Sequence, residues 1–285
     1  MQLLRQVLKK FLKISLLSFL FISNHSIAIL MVHNESVPGG IAVIDFETNH
    51  SNPKAFFANK SLYTQKISEG RWQAIVGIPI LTKPGLKTIT VRDFSHRDLT
   101  FEVHPKIYDE QHITLTGEKK KYVEPSKKHI DRIMKERDIL SSARNTYSEE
   151  AKSVGFFTLP VKGTKTSRFG LKRFYNGQPR RPHTGLDYAA PIGTKITSPA
   201  SGKVILTGHY YFNGKTVFID HGMGLISAYI HLNKINVNEG QEVKIGDNIG
   251  EIGTTGRSTG PHLHWGVYLN TTAINPELLM NKDEK

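Results

Sequence analysis

The sequence predicts a mainly β protein in which an N-terminal β-sandwich of immunoglobulin-like type, a connecting helix and a C-terminal antiparallel β-domain follow one another. Three observations carry this reading. Short runs rich in β-branched and aromatic residues recur from Ile41 to about Leu115, and one stretch after Pro125 has the composition of a helix. From about Gly155 to Pro276, glycine and proline punctuate short strands with no long helical period. With 285 residues and 38% hydrophobic content, the chain is long enough for two packed domains.

The first element is a leader. Arg5, Lys9, Lys10 and Lys13 precede the apolar run from Ile14 to Ile22, and Ser26-Ile27-Ala28 offers the small-x-small pattern of a signal-peptidase site. A membrane-spanning helix needs about 20 apolar residues, and this run is bounded by Lys13 and Asn24. Residues 1–28 are therefore read as a signal peptide. No second apolar stretch of that length follows, so no transmembrane span is expected after cleavage, and the expected location is the periplasm or the cell envelope.

The sandwich is assigned to residues 29–117. Its strand-like runs are Ile41 to Phe46, Ala74 to Ile78, Thr88 to Val91 and Leu99 to Val103, separated by turn formers such as Pro38-Gly39-Gly40 and Lys83-Pro84-Gly85. No catalytic constellation lies there. A basic, partly helical linker, residues 118–154, follows. Pro125-Ser126 can start its helix, which carries Ile130, Ile133, Met134 and Leu140 among many charges. The run Lys119-Lys120-Lys121 reads as a solvated face.

Composition narrows the chemistry. Cysteine is absent, which excludes disulfides, thiolate metal sites and a catalytic thiol, so a metal must be held by His, Asp or Glu. The formal charge is +13, and loss of the four leader cations leaves +9. A basic surface suits nucleic acid, anionic lipid or an acidic polymer such as a cell wall, and export argues against nucleic acid.

The C-terminal domain, residues 155–285, carries the motifs. His183-Thr184-Gly185-Leu186-Asp187 sets an imidazole and a carboxylate four residues apart, and the nearby Pro182, Gly185 and Pro191 argue against a helix. In an extended chain both side chains face one way. His262-Leu263-His264 puts two imidazoles on one face of the strand-like segment that continues through Trp265 to Tyr268, and Tyr229-Ile230-His231-Leu232 adds a third strand-borne imidazole. A catalytic zinc site takes three nitrogen or oxygen ligands and leaves a position for water. Two histidines and an aspartate meet that need.

Together, H-x-x-x-D, the strand histidine and G-P-H-x-H resemble the lysostaphin-like, or LytM-type, zinc endopeptidases of peptidoglycan. The likeness runs from Thr166-Ser167-Arg168-Phe169-Gly170 to Asn275-Pro276 and includes Pro191-Ile192-Gly193-Thr194 and Ile219-Asp220-His221-Gly222. It implies a β-sheet groove with Zn2+ on its floor, held by His183, Asp187 and His264, and catalytic roles for His231 and His262 beside the open coordination position. It also implies peptidoglycan stem peptides as substrate. The N-terminal domain is a candidate docking surface for a regulatory partner.

Amide hydrolysis at neutral pH needs an activated water and a stabilised oxyanion, and zinc supplies both. The chain has no H-E-x-x-H, so proton transfer falls to His231 and His262, whose type titrates near neutrality. His221 and His209 are read as structural. Arg180 and Arg181 are candidates for stem-peptide carboxylates, as they are for a solvated loop. The competing readings are a catalytically silent family member that binds the wall or activates other wall hydrolases, a wall-anchoring protein that uses the groove without cutting, and a lipoyl-like module suggested by the hairpin-like stretch Gly240 to Gly250. The last leaves the His/Asp constellation unexplained.

Overall fold

Alternation along the first strands divides their side chains between two cores. The computed structural model describes residues 29–152 and 155–284, so the leader assigned to residues 1–28 lies outside the described residues. The N-terminal strands are β1 (Ile41–Glu47), β2 (Lys54–Phe57), β3 (Lys60–Ser61), β4 (Tyr63–Ser68), β5 (Arg71–Gly77), β6 (Gly85–Arg92) and β7 (His96–Val103). They form a three-stranded sheet, β1-β5-β4, and a four-stranded sheet, β3-β2-β6-β7. Ala42, Ile44, Trp72, Ala74 and Val76 of the first meet Ala55, Ile89, Val91 and Val103 of the second, which makes the expected sandwich.

The intervening residues Ile41 and Ile75, with Tyr63, join the core of the C-terminal half instead. Side chains two apart share a face of a strand, so the smaller sheet is covered on both sides. Each buried aliphatic side chain contributes about 1.5–3 kcal/mol, and the two halves are fused by several of them. Asn270 adds a polar pin: its side chain accepts from Gly77 N (3.3 Å) and donates to Ser61 O (2.9 Å).

Strand β8 (Glu110–Ile113) leaves the sandwich to pair in parallel with β10 (Lys172–Tyr175) of the C-terminal half. A 3-10 turn, Gly117–Tyr122, and helix α1 (Lys127–Arg144) follow. Ile133 and Leu140, seven residues apart on one face, turn toward the C-terminal sheet, while Ile130 and Met134 are exposed. The helix is tied down by Glu136, whose carboxylate accepts from Tyr211 N (2.6 Å), and by Arg132, which donates to His209 O (2.9 Å). Among the described residues no helix is long and apolar enough to cross a membrane.

The remaining strands are β9 (Thr164–Ser167), β11 (Gln178–Pro179), β12 (Leu186–Ala189), β13 (Lys195–Thr197), β14 (Gly202–Tyr210), β15 (Gly214–Asp220), β16 (Leu225–Leu232), β17 (Lys234–Ile235), β18 (Glu242–Val243), β19 (Asn248–Glu251), β20 (His262–Leu269) and β21 (Thr272–Ile274). The main sheet runs β18-β14-β15-β16-β20-β12-β9, antiparallel throughout, with β21 on β20. One face carries Val217, Ile219, Tyr229, Leu263, Trp265 and Val267 into the main core. The alternate residues Phe218, Ile226, Ala228 and Tyr268 form a second cluster with Ala143 and Leu140 of α1. With both faces covered, β16 is buried along its whole length.

Candidate metal centre and groove

The centre is built on a strand pair. β12 and β20 run antiparallel with Asp187 opposite His264 and Ala189 opposite His262, so Asp187, His262 and His264 share one face. His183 arrives differently from the extended spacing expected of it: it lies in the loop before β12, where its N donates to Leu171 O (2.9 Å) and its O accepts from Gly170 N (2.8 Å). Gly185 makes this possible, because a Cβ there would sit 2.4 Å from Trp265 O and 2.8 Å from Nε2 of His264.

The ring of His183 donates from Nδ1 to Arg168 O (2.6 Å), which leaves a lone pair on Nε2. That Nε2 lies 3.0 Å from Asp187 Oδ1 and 2.9 Å from His264 Nδ1, and the latter pair are 2.8 Å apart. All three residues are buried. A carboxylate oxygen, an imidazole lone pair and a second ring nitrogen thus converge with one proton at most between them, an arrangement that a cation satisfies. Tetrahedral zinc with bonds of about 2.0–2.1 Å sets its ligand atoms roughly 3.3 Å apart, a few tenths of an ångström wider than here. The donor set and spacing fit a divalent cation.

Burial alone would raise the Asp187 carboxyl, but the adjoining imidazoles of His183 and His264 outweigh it and hold the group well below the usual carboxylate range. Burial pushes His264 down to about 4 against the opposing pull of Asp187. Anionic carboxylate and neutral imidazole are the forms that bind metal. The other carboxylate oxygen accepts from Arg173 Nη2 (2.6 Å), and Arg173 Nε donates to Gln111 Oε1 (2.9 Å). Gln111 in turn donates to Ser167 Oγ (2.7 Å). This relay, from β8 through β10 to β12, aims Oδ1 at the histidines.

His231 and His262 stand beside the cluster, their ring centroids 4.9 Å apart. His231 donates from Nδ1 to Thr255 O (2.8 Å), and His262 Nδ1 bonds Gly260 O (2.9 Å), so both direct Nε2 elsewhere; that of His262 lies 3.9 Å from Asp187 Oδ1. Ile230 pairs with His264 across β16 and β20, so strict alternation would turn His231 to the opposite face. A left-handed φ of 70° at His231 breaks the alternation, and both Ile230 and His231 face the cleft. Such a φ is strained for a non-glycine residue and persists where surrounding contacts impose it. Burial, then the neighbouring His262 and His264, hold His231 well below the ordinary histidine range.

The cleft extends from Thr166, Ala189 and Pro261 past His231 to Tyr122, Ile133 and Leu140, so the 3-10 turn and α1 wall one side of it. Arg180 and Arg181 line this part, but Arg180 donates to Val123 O (3.1 Å) and Pro179 O (3.0 Å) and so serves the wall itself. His221 lies elsewhere, bonded to Ser201 O and Ser227 Oγ. Sequence reasoning missed Arg173, Gln111 and Arg257, which also lines the cleft. No local pattern marks the first two, whereas Arg257 directly precedes Ser258, the start of the Ser258–His264 motif.

Residues 34–106 match the model of the peptidase family M23 N-terminal domain, and residues 181–276 match that of peptidase family M23 itself. The crystal structure of an M23 peptidase from Pseudomonas aeruginosa superposes over 87% of this chain and 96% of its own, with a TM-score of 0.74 and 39% identity. This chain belongs to peptidase family M23. The matched span of the family model contains His183, Asp187, His231, His262 and His264. Curated relatives of this M23 protein include the peptidoglycan DD-endopeptidase ShyA of Vibrio cholerae, 40% identical over 111 residues (39% of this chain, 26% of ShyA). Another is the DD-carboxypeptidase/endopeptidase Mpg of Neisseria meningitidis, 40% identical over 123 residues (43% of this chain, 28% of Mpg). The chain spans about a quarter of the length of these relatives.

Proposed function

We propose that this M23 protein is a zinc-dependent endopeptidase that hydrolyses peptide cross-links of bacterial peptidoglycan in the periplasm. On this reading residues 1–28 are removed as a signal peptide, the sandwich occupies 29–117, the linker 118–154 and the peptidase domain 155–285. The observation that carries it is the convergence of His183 Nε2, Asp187 Oδ1 and His264 Nδ1 within 3.0 Å of one another, beside two further imidazoles in an open cleft. The peptidoglycan DD-endopeptidase activity named for ShyA, with the DD-carboxypeptidase/endopeptidase activity named for Mpg, supports the substrate class.

His183, Asp187 and His264 would hold the ion. When bound, zinc supplies a Lewis acid that acidifies water and polarises the scissile carbonyl. The protein's own part is positioning and proton handling. Arg173 fixes the Asp187 carboxylate by a charge-assisted hydrogen bond. His231 and His262 each hold Nδ1 against a backbone carbonyl, which orients Nε2 to take a proton from the attacking water or to give one to the departing amine. The depressed pKa of His231 keeps it neutral at pH 7, the form whose free ring nitrogen can accept a proton.

The test is digestion of purified sacculi by the zinc-loaded protein, with product analysis by chromatography and mass spectrometry. Loss of cross-linked dimers that a chelator abolishes is expected. Absence of any cleavage by a protein with stoichiometric zinc would contradict the proposal.

A further inference from the structure

Among the arginines that line the cleft, Arg173, Arg180 and Arg257 lie near enough to act on one another's charge, and they differ in what they hold. Arg173 is committed to Asp187 and Gln111, and Arg180 to carbonyls of the cleft wall. Arg257 has no hydrogen-bond acceptor for its guanidinium among the described residues. Its contacts are two aromatic rings, with Cζ 4.6 Å from the centroid of Tyr175 and 4.7 Å from that of Phe212. Stacking on rings uses the faces of a guanidinium and leaves its in-plane N–H groups for an acceptor.

Arg257 lines both parts of the cleft, in company with His231 and Arg173. Burial lowers its pKa, the Tyr175 side opposes that, and the charges of Arg173 and Arg180 lower it further. A partly buried cation among like charges is costly unless an anion meets it. Its backbone N donates to Phe212 O (2.8 Å), so the side chain starts from an anchored point. Two rings hold this cation in place, and among the described residues no carboxylate pairs with it.

We propose that Arg257 is the receptor for a carboxylate carried by the substrate beside the scissile amide, so that the groove selects peptides with a free α-carboxylate there over neutral ones. The inference rests on the endopeptidase reading and names the substrate feature that the site recognises. A planar guanidinium fork binds a planar carboxylate through two parallel hydrogen bonds, which a carboxamide cannot reproduce. Of the two arginines that the sequence offers for this role, Arg180 donates to Val123 O of the cleft wall (3.1 Å), and Arg181 is exposed.

The experiment uses two synthetic cross-linked peptides that differ only in whether the residue beside the scissile amide carries a free α-carboxylate or an α-carboxamide. Wild-type protein is expected to prefer the carboxylate in kcat/KM by about 10- to 100-fold. Arg257→Met, which keeps bulk between Tyr175 and Phe212, should bring the ratio close to 1, and Arg257→Lys should give an intermediate ratio. Calorimetric binding of both peptides to chelator-treated protein supplies a second readout, in which the affinity difference should vanish in Arg257→Met. An unchanged ratio in that variant, or no wild-type preference, would overturn the proposal. If wild type cleaves neither peptide yet binds the carboxylate form through Arg257, the endopeptidase reading falls and the receptor assignment stands.

Discussion

The hairpin of β15 and β16 carries a buried histidine-containing cluster at each end, and the two are wired in opposite ways. At the turn end, His221 donates from Nδ1 to Ser201 O (2.7 Å) and accepts at Nε2 from Ser227 Oγ (2.7 Å), and Ser227 bonds onward to the Tyr229 hydroxyl (2.9 Å). Every ring nitrogen there has a protein partner. At the other end, His183, His231 and His262 each spend Nδ1 on a backbone carbonyl and keep Nε2 for a shared space that also receives Asp187 and His264. Burial does not separate the clusters, since it pushes both His221 and His264 down to about 4. The separation lies in the second nitrogen: satisfied internally it makes structure, and left facing other acceptors it makes a site for an ion or a proton.

The largest effect should come from breaking the open end without touching its metal ligands. His231→Ala and His262→Ala are each expected to lower kcat by about 10²- to 10⁴-fold while elemental analysis finds metal content unchanged. Wild-type turnover in both variants would remove these imidazoles from the chemistry and erase the contrast with His221.

The closed end should matter to stability alone. The pKa of His221 in the folded protein, about 4, lies below its ordinary 6.5, so the unfolded chain binds the extra proton between these values. Its contribution is therefore complete above pH 6.5 and is lost as pH falls toward 4, on the order of 3 kcal/mol in all. Denaturant unfolding of the metal-free protein across that window should show a shallower pH dependence for His221→Gln than for wild type. Equal slopes would show that the buried ring is not held neutral by the fold.

A smaller change probes the support behind the open end. Arg173→Ala frees the Asp187 oxygen that now accepts from the guanidinium (2.6 Å), and metal affinity should weaken by about 10-fold, near the lower limit for loss of an orienting partner. Competition with a chromogenic chelator measures it, and the same affinity as wild type would mean that the β12 backbone alone orients the carboxylate.

Parts of this arrangement were legible because strands have period two. His262 and His264 share a face by spacing alone, and the helix began at Lys127, directly after the Pro125-Ser126 signal. The runs read as strands fall within β1, β5, β6 and β7, apart from Ile78, which lies one residue past β5. Strands β2 to β4 were not singled out: they are short, and the lysines at 54, 60 and 66 blur any apolar pattern. Within the site, the local residues carried no trace of what distant pairing provides. Arg173 reaches Gln111 because β8 and β10 pair in parallel across some sixty positions of chain, and His183 is steered by the carbonyl of Arg168 in a loop. The spacing of His231 also misleads, because a left-handed backbone angle rather than alternation turns it to the cleft.

The central claim is that His183, Asp187 and His264 form one metal site and that the other buried histidines do not. Elemental analysis of purified wild type beside His183→Ala, Asp187→Ala, His264→Ala, His231→Ala and His221→Gln tests it most directly. One zinc per chain in wild type, lost in the first three variants and kept in the last two, is the predicted result; retention of stoichiometric zinc after loss of any two of the three ligands, in separate variants, would contradict it.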